Sequence, residues 1–492
     1  MPDLSPAALP SPITDSADLD PADWPGFRAG AHVALDLMLD HLQTIREQPV
    51  WRPTPPSVRA ALRAPLPEQP QGLAAVVDQF DRLIRPYATG NLHPRFMGWV
   101  HGGGTPVGMV AEMLAGGLNA NLGGRDHAPI LVERQVIGWM AALFGLPQTA
   151  GGLLVTGTSI ANLIGVLIAR RAALGPTSRA SGLGGTRLVA YTSAAAHGCL
   201  PRAMDYAGLG SDALRRVPVD GRHRIDLDAL RRAVAADRAA GATPFLVIGT
   251  AGTVDIGAID DLAALADLAA AERLWFHVDG AFGALGVLTS EIAPRLSGIE
   301  RAQSLALDFH KWAQVPYDAG FVLVRDGALH RDTFATSAEY LRREARGLAG
   351  GTFWPNDFGP DLSRGFRALK TWFTLRVYGT EQLGAMIAQT CRVARHLAAR
   401  VAAEPRLELL APAPLNIVCF RYRGADADAL NAAIVADVQE SGVAAPSTTR
   451  IDGALAIRAA IFNHRTRERD VDALVDAVLR HGDRRVGANS PA

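Results

Sequence analysis

The sequence predicts an α/β fold: a mostly parallel sheet flanked by helices, with a helical segment before it and a smaller α/β domain after it. Three observations carry this. Short runs such as Pro244-Phe-Leu-Val-Ile-Gly249 and Gly320-Phe-Val-Leu-Val324 are continuously apolar rather than alternating, as strands buried on both faces are. Helical patterns, such as those over 160–171 and 261–272, separate them, which is the alternation of a parallel sheet. At 492 residues, the chain also exceeds one ordinary core, so two or three domains are expected.

Taken in order, residues 1–22 are rich in Pro, Ser, Ala and Asp and read as a loose tail. Helices follow over about 27–47 and 71–86, parted by Trp51-Arg-Pro-Thr-Pro-Pro56. Two helices cannot make a core, so their apolar faces need the main domain or, as the preferred reading, a second subunit. This N-terminal segment is assigned to 1–104. The large domain, 105–369, holds strands at Gly152-Leu-Leu-Val-Thr156, Arg187-Leu-Val-Ala-Tyr191, Pro244–Gly249, Leu274-Trp-Phe-His-Val278, Ser304–Phe309 and Gly320–Val324. The small domain, 370–492, has a long helix over about 381–403, strands near 415–422 and 455–460, and helices near 426–440 and 468–480.

Composition removes several classes of function. Net charge is +0, so no basic excess points to nucleic acid or an anionic membrane. No apolar run is long enough to span a bilayer. Cys199, Cys391 and Cys419 are far apart and lack metal-ligand spacing, so no metal is expected and the thiols read as reduced. Asp3, Asp15, Asp18 and Asp20 stand where a signal peptide carries basic residues. These features predict a cytoplasmic enzyme acting on a small molecule.

The chemistry centres on lysine. Of 49 basic residues only Lys311 and Lys370 are lysine, and all others are arginine. Arginine keeps its proton and cannot attack a carbonyl, whereas a desolvated lysine amine can form a Schiff base. Lys311 ends the apolar run Ser304-Leu-Ala-Leu-Asp-Phe-His-Lys-Trp312, at the end of a strand, where open parallel sheets bind ligands. Other strand ends carry matching groups. Thr156-Gly-Thr-Ser159 opens a helix and suits a phosphate, although Thr158 or Ser159 also makes an ordinary N-cap. Asp279, in His277-Val-Asp-Gly-Ala281, is costly to bury unless it meets a cation such as a protonated ring nitrogen, or else caps a turn. His197, in Thr192-Ser-Ala-Ala-Ala-His197, suits the face of a planar ring, and Thr253, in Gly249-Thr-Ala-Gly-Thr253, suits a hydrogen bond to a ligand. Together these groups suit pyridoxal 5′-phosphate.

On these residues the chain resembles the pyridoxal-phosphate-dependent group II amino-acid decarboxylases, which include aromatic-L-amino-acid decarboxylase. The segments that carry the resemblance are His277–Ala281, Asp308-Phe-His-Lys-Trp312, Leu362-Ser-Arg-Gly-Phe-Arg-Ala-Leu-Lys-Thr-Trp-Phe373 and Arg376-Val-Tyr-Gly379. The resemblance implies fold-type I and a homodimer with its sites at the subunit interface. It implies that Lys311 holds the cofactor as a Schiff base, with Asp279 on the pyridine nitrogen and Ala281 beside it. It further implies that His197 stacks on the ring, that Thr158, Ser159 and His310 contact the phosphate, and that Thr253 lies near the cofactor. Tyr340, in Ser337-Ala-Glu-Tyr-Leu-Arg342, matches the family's mobile-loop tyrosine and would return a proton to the substrate carbon. Lys370 reads as structural.

Two segments depart from the family pattern. His93-Pro-Arg-Phe-Met-Gly-Trp-Val-His-Gly-Gly-Gly-Thr-Pro106 turns glycine-rich where aromatic decarboxylases carry apolar bulk. Asn119-Ala-Asn-Leu-Gly-Gly-Arg-Asp126 replaces apolar residues of the partner-subunit segment. Trp99 could cover an aromatic side chain, whereas His101, Asn121, Arg125 and Asp126 could recognise a polar one. The expected reaction is decarboxylation of an L-amino acid to its amine. The alternatives are an aldehyde synthase, which the presence of His197 and Tyr340 disfavours, and an inactive cofactor-binding relative.

Overall fold

The computed structural model describes residues 19–336 and 342–488, which fall into two compact units. One unit comprises residues up to 45 together with 54–88. It holds α1 (Trp24–Gln43), α2 (Pro56–Ala61) and α3 (Leu73–Gln79). Asp23 caps α1 by accepting from the Gly26 N–H at 3.0 Å. The helix expected over 71–86 is regular only to Gln79 and continues as a π-turn and a 3-10 turn (Phe80–Ile84, Arg85–Tyr87), ending where Pro86 removes a donor. None of α1 or α3 is fully buried, and Trp24, Phe27, Val33 and Val76 are exposed.

The other unit, residues 46–53 and from 89 onward, carries two sheets. Its elements run β1 (Phe96–Met97), α4 (Pro106–Leu118), α5 (Ala128–Leu143), β2 (Gly151–Val155), α6 (Thr158–Leu174), α7 (Ser178–Ser181), β3 (Leu188–Ser193), α8 (Cys199–Tyr206) and β4 (Leu214–Val217). Next come α9 (Leu227–Ala239), β5 (Thr243–Thr250), α10 (Leu262–Glu272), β6 (Trp275–Asp279), β7 (Ser304–Asp308), β8 (Gly320–Val324) and α11 (Gly327–Phe334). The chain closes with α12 (Arg367–Ala402), β9 (Leu407–Leu409), β10 (Ile417–Tyr422), α13 (Ala427–Glu440), β11 (Ala445–Ile451), β12 (Ala454–Ala460) and α14 (Glu468–Ala488).

The large sheet is ordered β2-β8-β7-β6-β5-β3-β4. All its strands are parallel except β8, which is antiparallel to both β2 and β7. The short link 309–319 explains the exception, since a parallel return needs a crossover helix. β2, β7 and β8 are buried at every residue, as their apolar sequences require. Leu305, Leu307, Phe309 and Trp312 have no exposed surface. Each such side chain stabilises the turn carrying Lys311 by about 1.5–3 kcal/mol of apolar burial.

The smaller sheet is ordered β1-β11-β12-β10-β9. Its first strand comes from the N-terminal stretch: Phe96 and Met97 pair in parallel with Ala445 and Pro446. Helix α12 begins earlier than the expected 381, and Gly379 interrupts it with φ 64° and ψ 171°. The segment 362–373 also gains a physical role. Arg364 and Glu133, each 1% exposed, form an ion pair at 2.7 Å. Between them they bond the N–H and C=O of Leu154 in β2. Lys370, 4% exposed, pairs with Glu112, so the second lysine anchors α12 to α4.

Candidate active site

The carboxyl ends of β2, β3, β5, β6 and β7 open on a cavity of about 510 Å³. Thr156–Ser159, His197, Asp279, Ala281, His310 and Lys311 line it from the large sheet, and Ser447–Thr449 and Arg458 line it from the smaller one. Trp99 and His101 line it from the stretch after β1.

Lys311 Nζ lies in this cavity, 2.9 Å from Asp308 Oδ2. Burial alone would raise the Asp308 carboxyl, but the Lys311 charge and the bonds from Lys311 and Thr158 outweigh it and hold it below the ordinary carboxylate range. The next residue is neutral: burial lowers His310 to about 4. Its Nδ1 accepts the Ala319 N–H at 3.0 Å, so the proton sits on Nε2, 3.6 Å from Asp308. Gly102 packs on this turn so closely that a Cβ there would lie 2.4 Å from the His310 carbonyl oxygen.

At the start of α6, the Thr158 N–H donates to Asp308 Oδ1 at 2.7 Å. The Thr158 hydroxyl is buried and has no partner. Ser159, next to it, is exposed to the cavity. A buried hydroxyl at a helix N-terminus with nothing to bond fits a phosphate oxygen.

Asp279 is 3% exposed, and its partners are the Ala281 N–H at 3.2 Å and Asn162 Nδ2 at 3.1 Å. Burial raises its carboxyl, and the Lys311 charge and the bonds from Ala281 and Asn162 only partly offset this. Among the described residues no cation pairs with it, which fits a protonated ring nitrogen. His197 borders the same cavity, with Nδ1 accepting the Cys199 N–H at 3.1 Å. Burial also lowers its pKa, which favours the neutral imidazole, suited to a ring face.

The other expected residues divide. Trp99 and His101 stack at 6.0 Å between centroids, and His101 meets Tyr317 edge-on at 5.8 Å. Thr253 does not line the cavity: its hydroxyl accepts the Ala258 N–H at 3.0 Å and closes a turn. Asn121 accepts from the N–H groups of Gly123 and Arg364, and Arg125 lies over Trp354 at 4.7 Å, so neither lines this chain's own cavity. Tyr340 lies outside the described residues.

Four residues escaped sequence reasoning. Asp308 stood inside a quoted motif without a role. Asn162 lies one helical turn beyond Thr158, a spacing that places both on one face of α6. Arg458 interrupts the apolar strand β12, which was its only signal. Burial lowers the Arg458 pKa, and among the described residues its hydrogen bonds go to neutral acceptors, the backbone carbonyls of Trp99, Val254 and Asp255 and the Ser447 hydroxyl. Tyr317 packs over His310 with centroids 4.3 Å apart. Burial pushes the thiols of Cys199, Cys391 and Cys419 up to about 12, which leaves them unreactive. Among the described residues no cluster of His, Cys, Asp or Glu is placed to hold a metal, and no helix is long and apolar enough to cross a membrane.

The amine, the unpartnered hydroxyl and the uncompensated carboxylate together fit pyridoxal 5′-phosphate. Comparison with known proteins agrees. The pyridoxal-dependent decarboxylase conserved domain matches residues 55–423. The chain is 33% identical over 451 residues to an aromatic-L-amino-acid decarboxylase of Bacillus atrophaeus, covering 89% of this chain and 92% of that one. It is also 33% identical over 422 residues to an L-2,4-diaminobutyrate decarboxylase of Rhizobium meliloti (strain 1021), covering 84% and 83%. The structure of Oryza sativa TDC with PLP and tryptamine matches with a TM-score of 0.88 at 26% identity, covering 95% of this chain and 100% of that one. The chain therefore belongs to the pyridoxal-dependent decarboxylases: it is a fold-type I carboxy-lyase that uses pyridoxal phosphate to decarboxylate an amino acid.

Proposed function

We propose that Lys311 is the amine that takes the cofactor's aldehyde carbon, and that the chain converts an L-amino acid to its amine and carbon dioxide as a homodimer. The observation that carries this is Lys311 Nζ in one cavity with the buried, cation-free Asp279. Pyridoxal phosphate, when bound, supplies a sink for the electron pair released as the carboxylate leaves. The protein's own residues do the rest. Asp279 keeps the ring nitrogen charged. Thr158, Ser159 and neutral His310 donate to the phosphate, and Ala281 packs beside the ring. His197 covers the ring face and Thr253 holds the turn next to it. Arg458 offers the substrate carboxylate a cation already stripped of water. Tyr340 returns a proton to the substrate carbon.

The Trp99, His101 and Tyr317 rings at the cavity, with Phe96 stacked on His101, support an aromatic amino acid as the first substrate class to test. Asn121 and Arg125 serve the partner's cavity in this reading. Exposed Met113, Leu114 and Leu118 of α4 and Leu131 of α5 support the dimer. The division into 1–104, 105–369 and 370–492 follows from the same reading, as does a cytoplasmic enzyme whose three free thiols stay reduced.

Borohydride reduction of the loaded protein, followed by peptide mapping, should label Lys311 and leave Lys370 unlabelled. Lys311→Ala should lose both label and turnover. Label at Lys370, or turnover by Lys311→Ala, would end the proposal. Amine and carbon dioxide in equal amounts, with no hydrogen peroxide or ammonia, is the product balance expected of a decarboxylase rather than an aldehyde synthase.

A further inference from the structure

Behind Asp279, a line of buried polar side chains runs away from the cavity. Trp275 Nε1 lies 2.8 Å from Ser304 Oγ, and Ser304 Oγ lies 2.7 Å from His277 Nδ1. His277 Nε2 lies 2.8 Å from Asn162 Oδ1, and Asn162 Nδ2 lies 3.1 Å from Asp279 Oδ2. Asn162, His277 and Ser304 have no exposed surface. The turn after β6 and the start of α6 account for the site already described, but nothing there required these four residues.

The line has only one polarity. An indole N–H can only donate, so Ser304 Oγ accepts from Trp275; its own proton goes to His277 Nδ1 because an ionised Asp279 can only accept, which turns the Asn162 N–H₂ to Asp279 and its Oδ1 to His277 Nε2. His277 then carries its proton on Nε2 and donates it to Asn162 Oδ1. Asn162 turns its amide N–H₂ towards Asp279, an acceptor when ionised. Reversing any one group would set two acceptors or two donors face to face at side chains with no exposed surface. The helix is shaped for this arrangement: a Cβ on Gly165 of α6 would lie 2.8 Å from His277 Cε1, so the imidazole occupies the space a side chain would need.

We propose that Trp275, Ser304, His277 and Asn162 form a one-way hydrogen-bond chain that holds Asp279 ionised and aimed at the cofactor's ring nitrogen, with Asn162 and His277 as positioning residues. The inference rests on the reading of Asp279 as the ring-nitrogen partner. His277 moves no proton in it. It is a fixed neutral tautomer, consistent with the way burial lowers it to about 3. What reaches Asp279 is an oriented N–H, which favours the charged carboxylate over the neutral acid.

The test uses the loaded enzyme with ¹⁵N-labelled histidine and, separately, cofactor labelled with ¹⁵N in its ring. In the wild type, nitrogen NMR should show His277 protonated on Nε2 and unprotonated on Nδ1. The opposite tautomer, or a doubly protonated ring, overturns the inference without any variant. The ring nitrogen of the cofactor should be protonated in the wild type. In Asn162→Leu its shift should move towards the unprotonated position. In that variant kcat should fall by roughly 10–100-fold, the scale known for outer-shell partners of metal ligands. KM should stay within about threefold, as expected for an interaction expressed in the transition state. An unchanged ring shift in Asn162→Leu overturns the chain. An unprotonated ring nitrogen in the wild type instead overturns the Asp279 reading on which the chain rests.

Discussion

Asp279 sits where burial and charge pull against each other. Burial raises its carboxyl, and the offset from Lys311 does not restore it. A cation placed against it would reverse that balance, and a protonated ring nitrogen is such a cation. Asp279→Asn keeps the shape and loses only the charge. Cofactor should still bind, seen by absorbance, while decarboxylation falls by roughly 10²–10³-fold, the scale of losing one preorganised electrostatic contact. Activity within about threefold of the wild type would remove Asp279 from that role. Lys311, Asp279 and His197 were legible in the sequence because each is a rare or costly residue type at a strand end. Asn162 and Arg458 were not. Asn162 meets Asp279 across 117 residues, and Arg458 reaches Val254 across 204 and Trp99 across 359. Spacing along the chain says nothing about such pairs.

At the scale of elements, apolar strands and amphipathic helices declared themselves, and elements whose polarity serves another purpose did not. β4, Leu214-Arg-Arg-Val217, lies at the sheet edge, where an arginine can face water, so it lacks an apolar run. β11 presents Ser447, Thr448 and Thr449 to the cavity and reads as a loop for that reason. A mostly parallel sheet was expected and is found; strand patterning carries no sign, so the antiparallel direction of β8 is revealed only by the length of the preceding link. The long helix was expected only from about 381, whereas α12 begins at Arg367 and Gly379 breaks it. Its φ of 64° and ψ of 171° lie in a region that only glycine occupies readily, and a Cβ there would meet nothing within 4 Å. Gly379→Ala should therefore lower stability by about 1–3 kcal/mol through the backbone alone. Gly379→Asn should give no rescue, because asparagine tolerates the left-handed helical region but not this one. Urea unfolding decides: an Ala variant as stable as wild type would mean that the helix straightens at no cost.

For the molecule as a whole, the buried histidines set the response to acid. Burial lowers His93, His310 and His330 to about 4, and His277 and His464 to about 3. The unfolded chain holds histidine near the ordinary value of about 6.5. Between about pH 6.5 and 4 the unfolded chain therefore binds more protons than the native one, and stability falls as pH falls. Two carboxyls act in the opposite sense. Burial raises Asp260 to about 6, so the native state gains a proton there as pH falls through the same range, and burial moves Asp279 in the same direction. Five groups oppose two, and each proton of difference is worth about 1.4 kcal/mol per pH unit, so the histidines win. At fixed protein concentration, the urea midpoint should drop from pH 7 to pH 5, with net proton uptake on unfolding. The fall should begin as pH drops through about 6.5, where histidine of the unfolded chain takes up its proton. A midpoint that is flat or higher at pH 5 would mean that these imidazoles are charged in the folded protein. The neutral His310 proposed as a phosphate donor and the fixed tautomer of His277 would then both be wrong.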